Sequence, residues 1–401
     1  MIEAQHIWTG DLNARAVGDT PATQPEWVGL YDTTLRDGEQ SVGVVLAPED
    51  KLEIARALDA LGIDRIEAGF PRVSPDDAEA IRLIVDAGLE HAEVWGFSRA
   101  LPGDVDALLE LGLRAAVIES PVSDAKLSAY GIARDKLLDR VRTAVAYATE
   151  NGMAVCFFGV DGSRGDLSFL EAVYRTAVEA GAREVAMVDT LGVATPEAAA
   201  LMVSRARDWL GVELPLHWHG HDDFGLGTAI AIAAVRAGAT WVQGTINGMG
   251  ERAGNASLAE VALSLEALYG ISTSLRFERL REASGLVQRR SGCELAPWSP
   301  LVGRNLFVRE SGAVASQFHD PPSIEPYSSE LVGAERRLVL GKKSGLDSIR
   351  IKCRELGLEL PEERQAELLR DVKRLGARRR GLVSDEEFRA LVEGRLERAG
   401  A

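Results

Sequence analysis

Cysteine, histidine and long apolar runs are scarce in this 401-residue chain, and each scarcity excludes something. The three cysteines, Cys156, Cys293 and Cys353, are widely spaced and form no CxxC pair. They read as reduced thiols of a cytoplasmic protein rather than as a disulfide framework. No apolar run approaches the ~20 residues that a membrane helix needs, which argues against a membrane protein. Residues 1–27 lack the charged-then-apolar order of a secretory signal and read as a loose N-terminal extension. Basic residues are also outnumbered: 45 Lys and Arg stand against 61 Asp and Glu, a formal charge of -16. That balance argues against a nucleic-acid or anionic-membrane surface, while leaving room for a local basic pocket that takes a phosphorylated ligand.

What the chain has in quantity is a rhythm. From residue 28 to about residue 270, a short apolar, β-rich run is followed by an amphipathic helical stretch that closes on glycine. The runs are VGLYDTTL, DRIEAGF, AEVWGF, RAAVIES, MAVCFFGV, EVAMVDT, LPLHWHGH and TWVQGTI. The glycines between them include Gly62, Gly88, Gly112, Gly152, Gly181, Gly211 and Gly238. Glycine there allows a left-handed helix cap and a handover to the next strand. Strands alternating with helices predict parallel pairing through right-handed crossovers. Eight such units match a (β/α)8 TIM barrel in number and size. A doubly wound open sheet is the competitor, but eight units are many for it and no GxGxxG follows the first run.

The expected organisation is an N-terminal extension (1–27), a barrel (28–275), a linker or lid segment (276–345) and a small helical C-terminal part (346–401). Residues 271–345 read as irregular, rich in turn signals. Ser384 followed by Glu387 predicts a capping box, and Ala377–Arg380 a solvated helix end.

In a barrel of this kind, chemistry gathers where strands end and βα loops begin. Three of the six histidines, His217, His219 and His221, fall within five residues at the end of the seventh run. Residues two apart on an extended segment share a face, so His219 and His221 can both point into the barrel mouth. Two imidazoles and a carboxylate suit a divalent cation and leave positions open for substrate. Barrel closure makes strands 1, 7 and 8 neighbours, which brings Asp37 and Asn255 toward the histidine pair. The same ligand set would serve a non-haem iron oxygenase, and a single histidine is more often structural. His217 reads as a further lumen residue or as support for the other two, the second preferred. Arg36, beside Asp37, could stabilise an enolate or alkoxide, or form a structural ion pair. Gln40, Glu67, Arg99, Ser123, Arg164 and Thr190 also fall at or just beyond strand ends, where each could orient substrate or pack the mouth.

These segments together resemble the DRE-TIM metallolyase superfamily, and within it the Claisen-condensing 2-isopropylmalate, homocitrate and citramalate synthases. The matching pieces are DTTLRDGEQ (32–40), EAGFPRVSP (67–75), SPVSDAKL (120–127), DGSRGD (161–166), DTLGVATP (189–196), HGHDDFGLGTA (219–229) and NGMGERAGN (247–255). LVGRNLF (301–307) and LVLGKKSG (338–345) carry the resemblance beyond the barrel. The resemblance implies an acyltransferase that joins an acyl-CoA, in the first instance acetyl-CoA, to a 2-oxo acid and releases CoA. It implies that Asp37, His219 and His221 hold a divalent metal (Mg, Mn, Zn or Co), with Asn255 in or near the ligand set. It further implies that Arg36 polarises the keto oxygen and that Thr190 holds the substrate carboxylate. A homodimer and a short, feedback-free chain are also implied.

The departures fall on proton transfer. Val160 precedes Asp161 where the synthases usually carry Glu-Asp. Arg309-Glu310-Ser311-Gly312-Ala313-Val314 stands where they read His-Glu-Ser-Gly-Ile-His, and Gly341-Lys342-Lys343-Ser344-Gly345 where they read GKHSG. Valine has no proton to exchange. Glu67 and His319 are the remaining candidates for that work. The alternatives are a CoA-independent metal-dependent aldolase or lyase and a binding protein that keeps the metal pocket.

Overall fold

The structure, a computed structural model, describes residues 2–17 and 24–400. The chain divides into two compact units, one of Gly10–Leu295 and one of Glu3–Thr9 with Ala296–Ala401.

The first unit is a closed barrel of eight parallel strands in sequence order. They are β1 Gly29–Asp32, β2 Arg65–Glu67, β3 Glu93–Arg99, β4 Ala115–Pro121, β5 Ala154–Val160, β6 Glu184–Asp189, β7 Leu216–Gly220 and β8 Trp241–Gly244. Each falls on one of the eight runs, with β3 and β4 extending one or two residues beyond theirs. The barrel closes by pairing Gly29 through Asp32 of β1 with Trp241 through Gly244 of β8. The glycine punctuation works as the sequence predicts: Gly62 (φ 89°) and Gly88 (φ 59°) are left-handed caps after Pro48–Leu61 and Pro75–Ala87. Two of the intervening helices also open on a proline next to a side-chain cap. Ser74 accepts the Asp77 N–H ahead of Pro75, and Thr195 the Ala198 N–H ahead of Pro196.

Parallel pairing buries both sheet faces, which is why β4 and β5 read as continuous apolar runs. Alternate residues fill the lumen, where Tyr31, Trp95, Val117, Cys156, Phe158, Ala186 and Val188 form one buried cluster. The stretch after the barrel corrects the reading of residues 271–345 as irregular: Val308–Arg309 pairs in parallel with Arg337–Leu338, and a longer helix precedes them. Leu280–Ser291 is a helix, with Leu280, Ala283, Leu286 and Val287 buried. That spacing is helical, and the turn residues on either side masked it.

The second unit contains helices Leu346–Glu355, Glu362–Arg379 and Asp385–Gly400. Leu340, Ile349, Cys353, Leu368, Val372, Val383, Phe388 and Val392 are its core. The expected capping box is present: the Ser384 N–H reaches Glu387 at 2.9 Å and the Glu387 N–H reaches Ser384 Oγ at 3.3 Å. Residues 377–380 are exposed at the end of their helix, as expected. Glu3–Thr9 pairs within this unit, Ile7 bridging Tyr327 and His6 Nδ1 lying 2.8 Å from Ser328 Oγ. No described helix is long and apolar enough to cross a membrane.

Candidate metal centre at the carboxyl mouth of the barrel

The seam that closes the barrel also aims the first loop. Asp32 accepts the Thr34 N–H at 2.8 Å and the Thr34 hydroxyl at 2.9 Å. The same hydroxyl oxygen accepts the Ile246 N–H at 2.9 Å, tying the end of β1 to the chain after β8. Burial pushes the Asp32 carboxyl up to about 7 despite these bonds. Just beyond the seam the chain turns at Gly38–Gln40 and leaves Asp37 buried. Opposite, the loop after β8 is pinned to the end of β7: Asp222 N–H donates to Gly254 O, and Ala256 N–H to Gly220 O. His221 and Asn255 consequently form a β-bridge. Gly250 makes the approach close enough. A Cβ there would lie 2.3 Å from Asn255 Nδ2 and 3.3 Å from Asp37 Oδ1.

Asp37, His219 and His221 each offer one donor atom, and these atoms lie within 4.8 Å of one another. The Nε2 atoms of His219 and His221 stand 3.6 and 3.7 Å from Asp37 Oδ2. Burial drives His219 down to about 3 and lowers His221 as well, so both imidazoles are neutral at pH 7 and keep a lone pair. Burial pushes Asp37 the other way, but Arg36, His219 and His221 together outweigh it and hold the carboxyl below its usual range. Asp37 Oδ1 and Asn255 Oδ1 are buried without a hydrogen-bond partner. Unpaired buried oxygens are costly, and a bound cation would satisfy both. One carboxylate, two neutral imidazoles and an amide oxygen fit a divalent cation.

Arg36 is fixed beside this group. Its Nε donates to Glu67 Oε1 at 2.5 Å and its Nη1 to Asp37 Oδ2 at 3.1 Å, while the guanidinium covers the Phe97 ring at 4.2 Å. Nη2 is buried and unpaired, a donor left over. Glu67 is saturated: Tyr31 Oη donates to its other oxygen at 2.9 Å. Burial raises the Glu67 carboxyl, with Arg36 and Tyr31 pulling it back. Glu67 therefore orients Arg36.

The structure gathers three more of the sequence-predicted residues around one that the sequence did not single out. Asp161, in a left-handed conformation (φ 66°), accepts the Ser123 hydroxyl at 2.5 Å and both Nε and Nη2 of Arg164 at 2.8 and 2.7 Å. Its N–H donates to Thr190 Oγ1 at 2.8 Å. Ser123 and Arg164 are spent on this knot, whereas the Thr190 hydroxyl, an acceptor here, donates to no acceptor among the described residues. Gln40 is exposed and lines, with Arg36, Phe70 and Phe97, a cavity of about 360 Å³. Arg99 is exposed and pairs with Asp104 at 2.7 Å. His319 lies in the second unit, exposed beyond the short helix Gly312–Ala315.

His217 faces the lumen one layer below, against Glu184 at 2.7 Å and stacked on Trp241. Among the described residues it makes no hydrogen bond or ring pairing with His219 or His221. Its link to them runs through Gln243, whose amide nitrogen meets His217 Nδ1 at 3.2 Å and which pairs in register with His219.

Fold and site define a class, a TIM barrel with a cation-shaped donor set at its carboxyl mouth. The chain belongs to the HMGL-like family, which matches residues 27–287, and residues 301–380 match the homocitrate synthase post-HMGL domain-like family. It is 44% identical over 379 residues to a putative (R)-citramalate synthase CimA of Methanopyrus kandleri, spanning 94% of this chain and 74% of that one. It is 43% identical over 378 residues to the homocitrate synthase AksA of the same organism, spanning 94% of each chain. A probable 2-isopropylmalate synthase from that organism is 43% identical over 354 residues, 88% of this chain and 70% of that one. Among solved structures, the HMG-CoA lyase of Bacillus subtilis superposes with a TM-score of 0.61 at 20% identity, covering 68% of this chain and 96% of that one. That likeness speaks to the fold alone.

Proposed function

We propose that this protein condenses an acyl-CoA, acetyl-CoA in the first instance, with a 2-oxo acid to give a 2-substituted malate and free CoA. The observation that carries the reading is the mouth itself: a buried cation-shaped donor set beside Arg36, whose Nη2 has no partner among the described residues. The products in the names of the relatives share this chemistry, since each is an acetyl unit joined to the keto carbon of a 2-oxo acid.

In this account Asp37, His219 and His221 hold a divalent ion, with Asn255 Oδ1 beside them. A divalent ion held there would supply Lewis acidity to the carbonyl of the 2-oxo acid. Arg36, locked by Glu67, aims its unpaired N–H at the keto oxygen, where negative charge develops during C–C bond formation. Thr190 donates its free hydroxyl hydrogen to the substrate carboxylate. Gln40 and Arg99, both exposed at the mouth, and the Ser123–Asp161–Arg164 knot shape the rim. A homodimer in the cytoplasm belongs to the same reading, and light scattering would check the dimer.

The test is release of CoA thiol from acetyl-CoA with pyruvate, 2-oxobutanoate, 2-oxoisovalerate and 2-oxoglutarate, each with added Mg, Mn, Zn or Co. Turnover with at least one acid is expected, and silence across the panel would overturn the reading. Val160 and Val314 favour a second reading, CoA-independent cleavage of a hydroxy acid. Cleavage products formed without CoA would establish it.

A further inference from the structure

The proposed condensation needs a group that takes a proton from the thioester methyl, and the two valines leave that work unassigned. The carboxylates at the strand ends can be sorted by what they already hold. Glu67 is spent on Tyr31 and Arg36, and Asp161 on Ser123 and Arg164. Asp189 accepts the Ser163 hydroxyl and the N–H groups of Val193 and Ala194. Asp104 is paired with Arg99 and Asp223 with Arg252. Glu119 remains. Among the described residues its carboxylate has neither a hydrogen bond nor an ion pair, though its main-chain oxygen accepts the Ala100 N–H in the barrel ladder.

Its placement follows from register. Ala115 and Val117 belong to the lumen cluster, and Glu119 is the next residue of β4 on that face. It pairs with Phe158 on β5, whose ring meets His219 edge-on at 5.0 Å between centroids. Parallel partners share a face, so Glu119 stands beside Phe158 and one side chain removed from the metal centre. On its other side it pairs with Arg99, two residues past Phe97, the ring that Arg36 covers. Glu119 is half-buried, neither sealed in the core nor on the open surface.

We propose that Glu119 is the catalytic base of the condensation, in the place left by Val160 and Val314. Resting on the function proposed above, the step runs as follows. Glu119 takes a proton from the methyl of the acyl thioester. The electron pair of that C–H bond forms the new C–C bond to the keto carbon, and the C=O pair moves onto oxygen beside Arg36. Glu119 then returns its proton to that alkoxide. Water subsequently attacks the thioester, the C–S bond breaks, and CoA leaves as the thiol. The environment suits the role: burial pushes the Glu119 carboxyl above its usual range, while Arg36, Arg99 and Lys126 pull it back and Asp104 adds a smaller push.

The decisive measurement compares wild type, Glu119→Gln, Glu119→Asp and His319→Ala with acetyl-CoA and methyl-deuterated acetyl-CoA, using whichever panel acid the wild type turns over. Glu119→Gln is expected to lose about a hundredfold or more in kcat. Its KM for the 2-oxo acid, its metal content and its melting temperature should stay near wild type. Glu119→Asp, with the carboxylate set back by one methylene, should recover part of the rate and show an enlarged deuterium isotope effect as proton removal becomes limiting. It also serves if the glutamine variant folds poorly. A kcat for Glu119→Gln within threefold of wild type would overturn the proposal. So would a fall in the Glu119→Asp rate with an unchanged isotope effect, the signature of a packing role. Loss with an enlarged isotope effect in His319→Ala alone would move the base to His319. A wild type silent with every acid would overturn the functional reading itself, a result distinct from an active wild type indifferent to Glu119.

Discussion

The lumen holds two polar layers that use the same kinds of residue for opposite ends. In the lower one, Cys156, Glu184 and His217 lie as close together as a metal site requires. Yet Glu184 is already held by Arg65 through two bonds of 2.6 and 3.0 Å and by His217 at 2.7 Å. Arg65 lies between the Trp95 and Trp241 rings, 4.5 and 3.7 Å from their centroids. Gln243 Oε1 excepted, the side-chain nitrogen and oxygen atoms of Arg65, Glu184, His217 and Gln243 have partners among the described residues. In the upper layer, Asp37 Oδ1, Asn255 Oδ1, both histidine Nδ1 atoms and Arg36 Nη2 have none. Proximity of donors is common to both layers, and unspent donors distinguish the upper one, the layer proposed to hold the ion. A cation in the lower layer would have to displace the Arg65 guanidinium and strip a proton from Cys156, whose thiol burial pushes well up.

Substitutions can break this contrast from either side. The largest effect is expected at Asp37→Ala, which should reduce turnover roughly 10³-fold and lower bound divalent metal to background, checked by steady-state kinetics and elemental analysis. Arg36→Lys should keep the metal yet lose about a hundredfold in kcat, because an ammonium cannot span Glu67, Asp37 and a substrate oxygen together. Glu184→Gln should leave metal content alone and cost about 3 kcal/mol of stability in urea unfolding, since it strands Arg65 in the lumen.

The lower layer also has a pH signature. His217 and Arg65 outweigh burial and hold Glu184 down at about 2. A carboxyl with a depressed folded pKa stabilises the fold above the ordinary carboxyl range and loses that contribution as pH falls toward 2. The stability gap between wild type and Glu184→Gln should therefore shrink from pH 5 to pH 2, as followed by circular dichroism. The smallest effect is expected at Cys156→Ala, about 1 kcal/mol in melting experiments with metal content unchanged.

The contrast between the layers also separates what the sequence could say from what it could not. The eight apolar runs and their glycines were legible because a parallel barrel imposes a repeat that local chemistry must obey. Asp37, His219, His221 and Asn255 were legible as a group because closure of the barrel makes strands 1, 7 and 8 adjacent. The knot around Asp161 was not, since it depends on a left-handed residue at the end of β5 rather than on spacing. Glu119 was invisible for a related reason. A glutamate inside an apolar run looks like any strand residue until the register shows its face and the hydrogen bonds show that nothing holds it. His217 looked like an associate of its two neighbours because period two puts all three on one face, and only depth in the barrel separates them. Helix Leu280–Ser291 was hidden by the turn signals around it.

The central claim is that a divalent ion belongs to the upper layer alone. Titrating metal-stripped protein with Mn or Zn, and counting bound ions per chain in wild type, Asp37→Ala and Glu184→Gln, tests it most directly. The account predicts one ion per chain in wild type and Glu184→Gln and none in Asp37→Ala. An ion that stays in Asp37→Ala, or one that disappears in Glu184→Gln from a protein still folded, would contradict it.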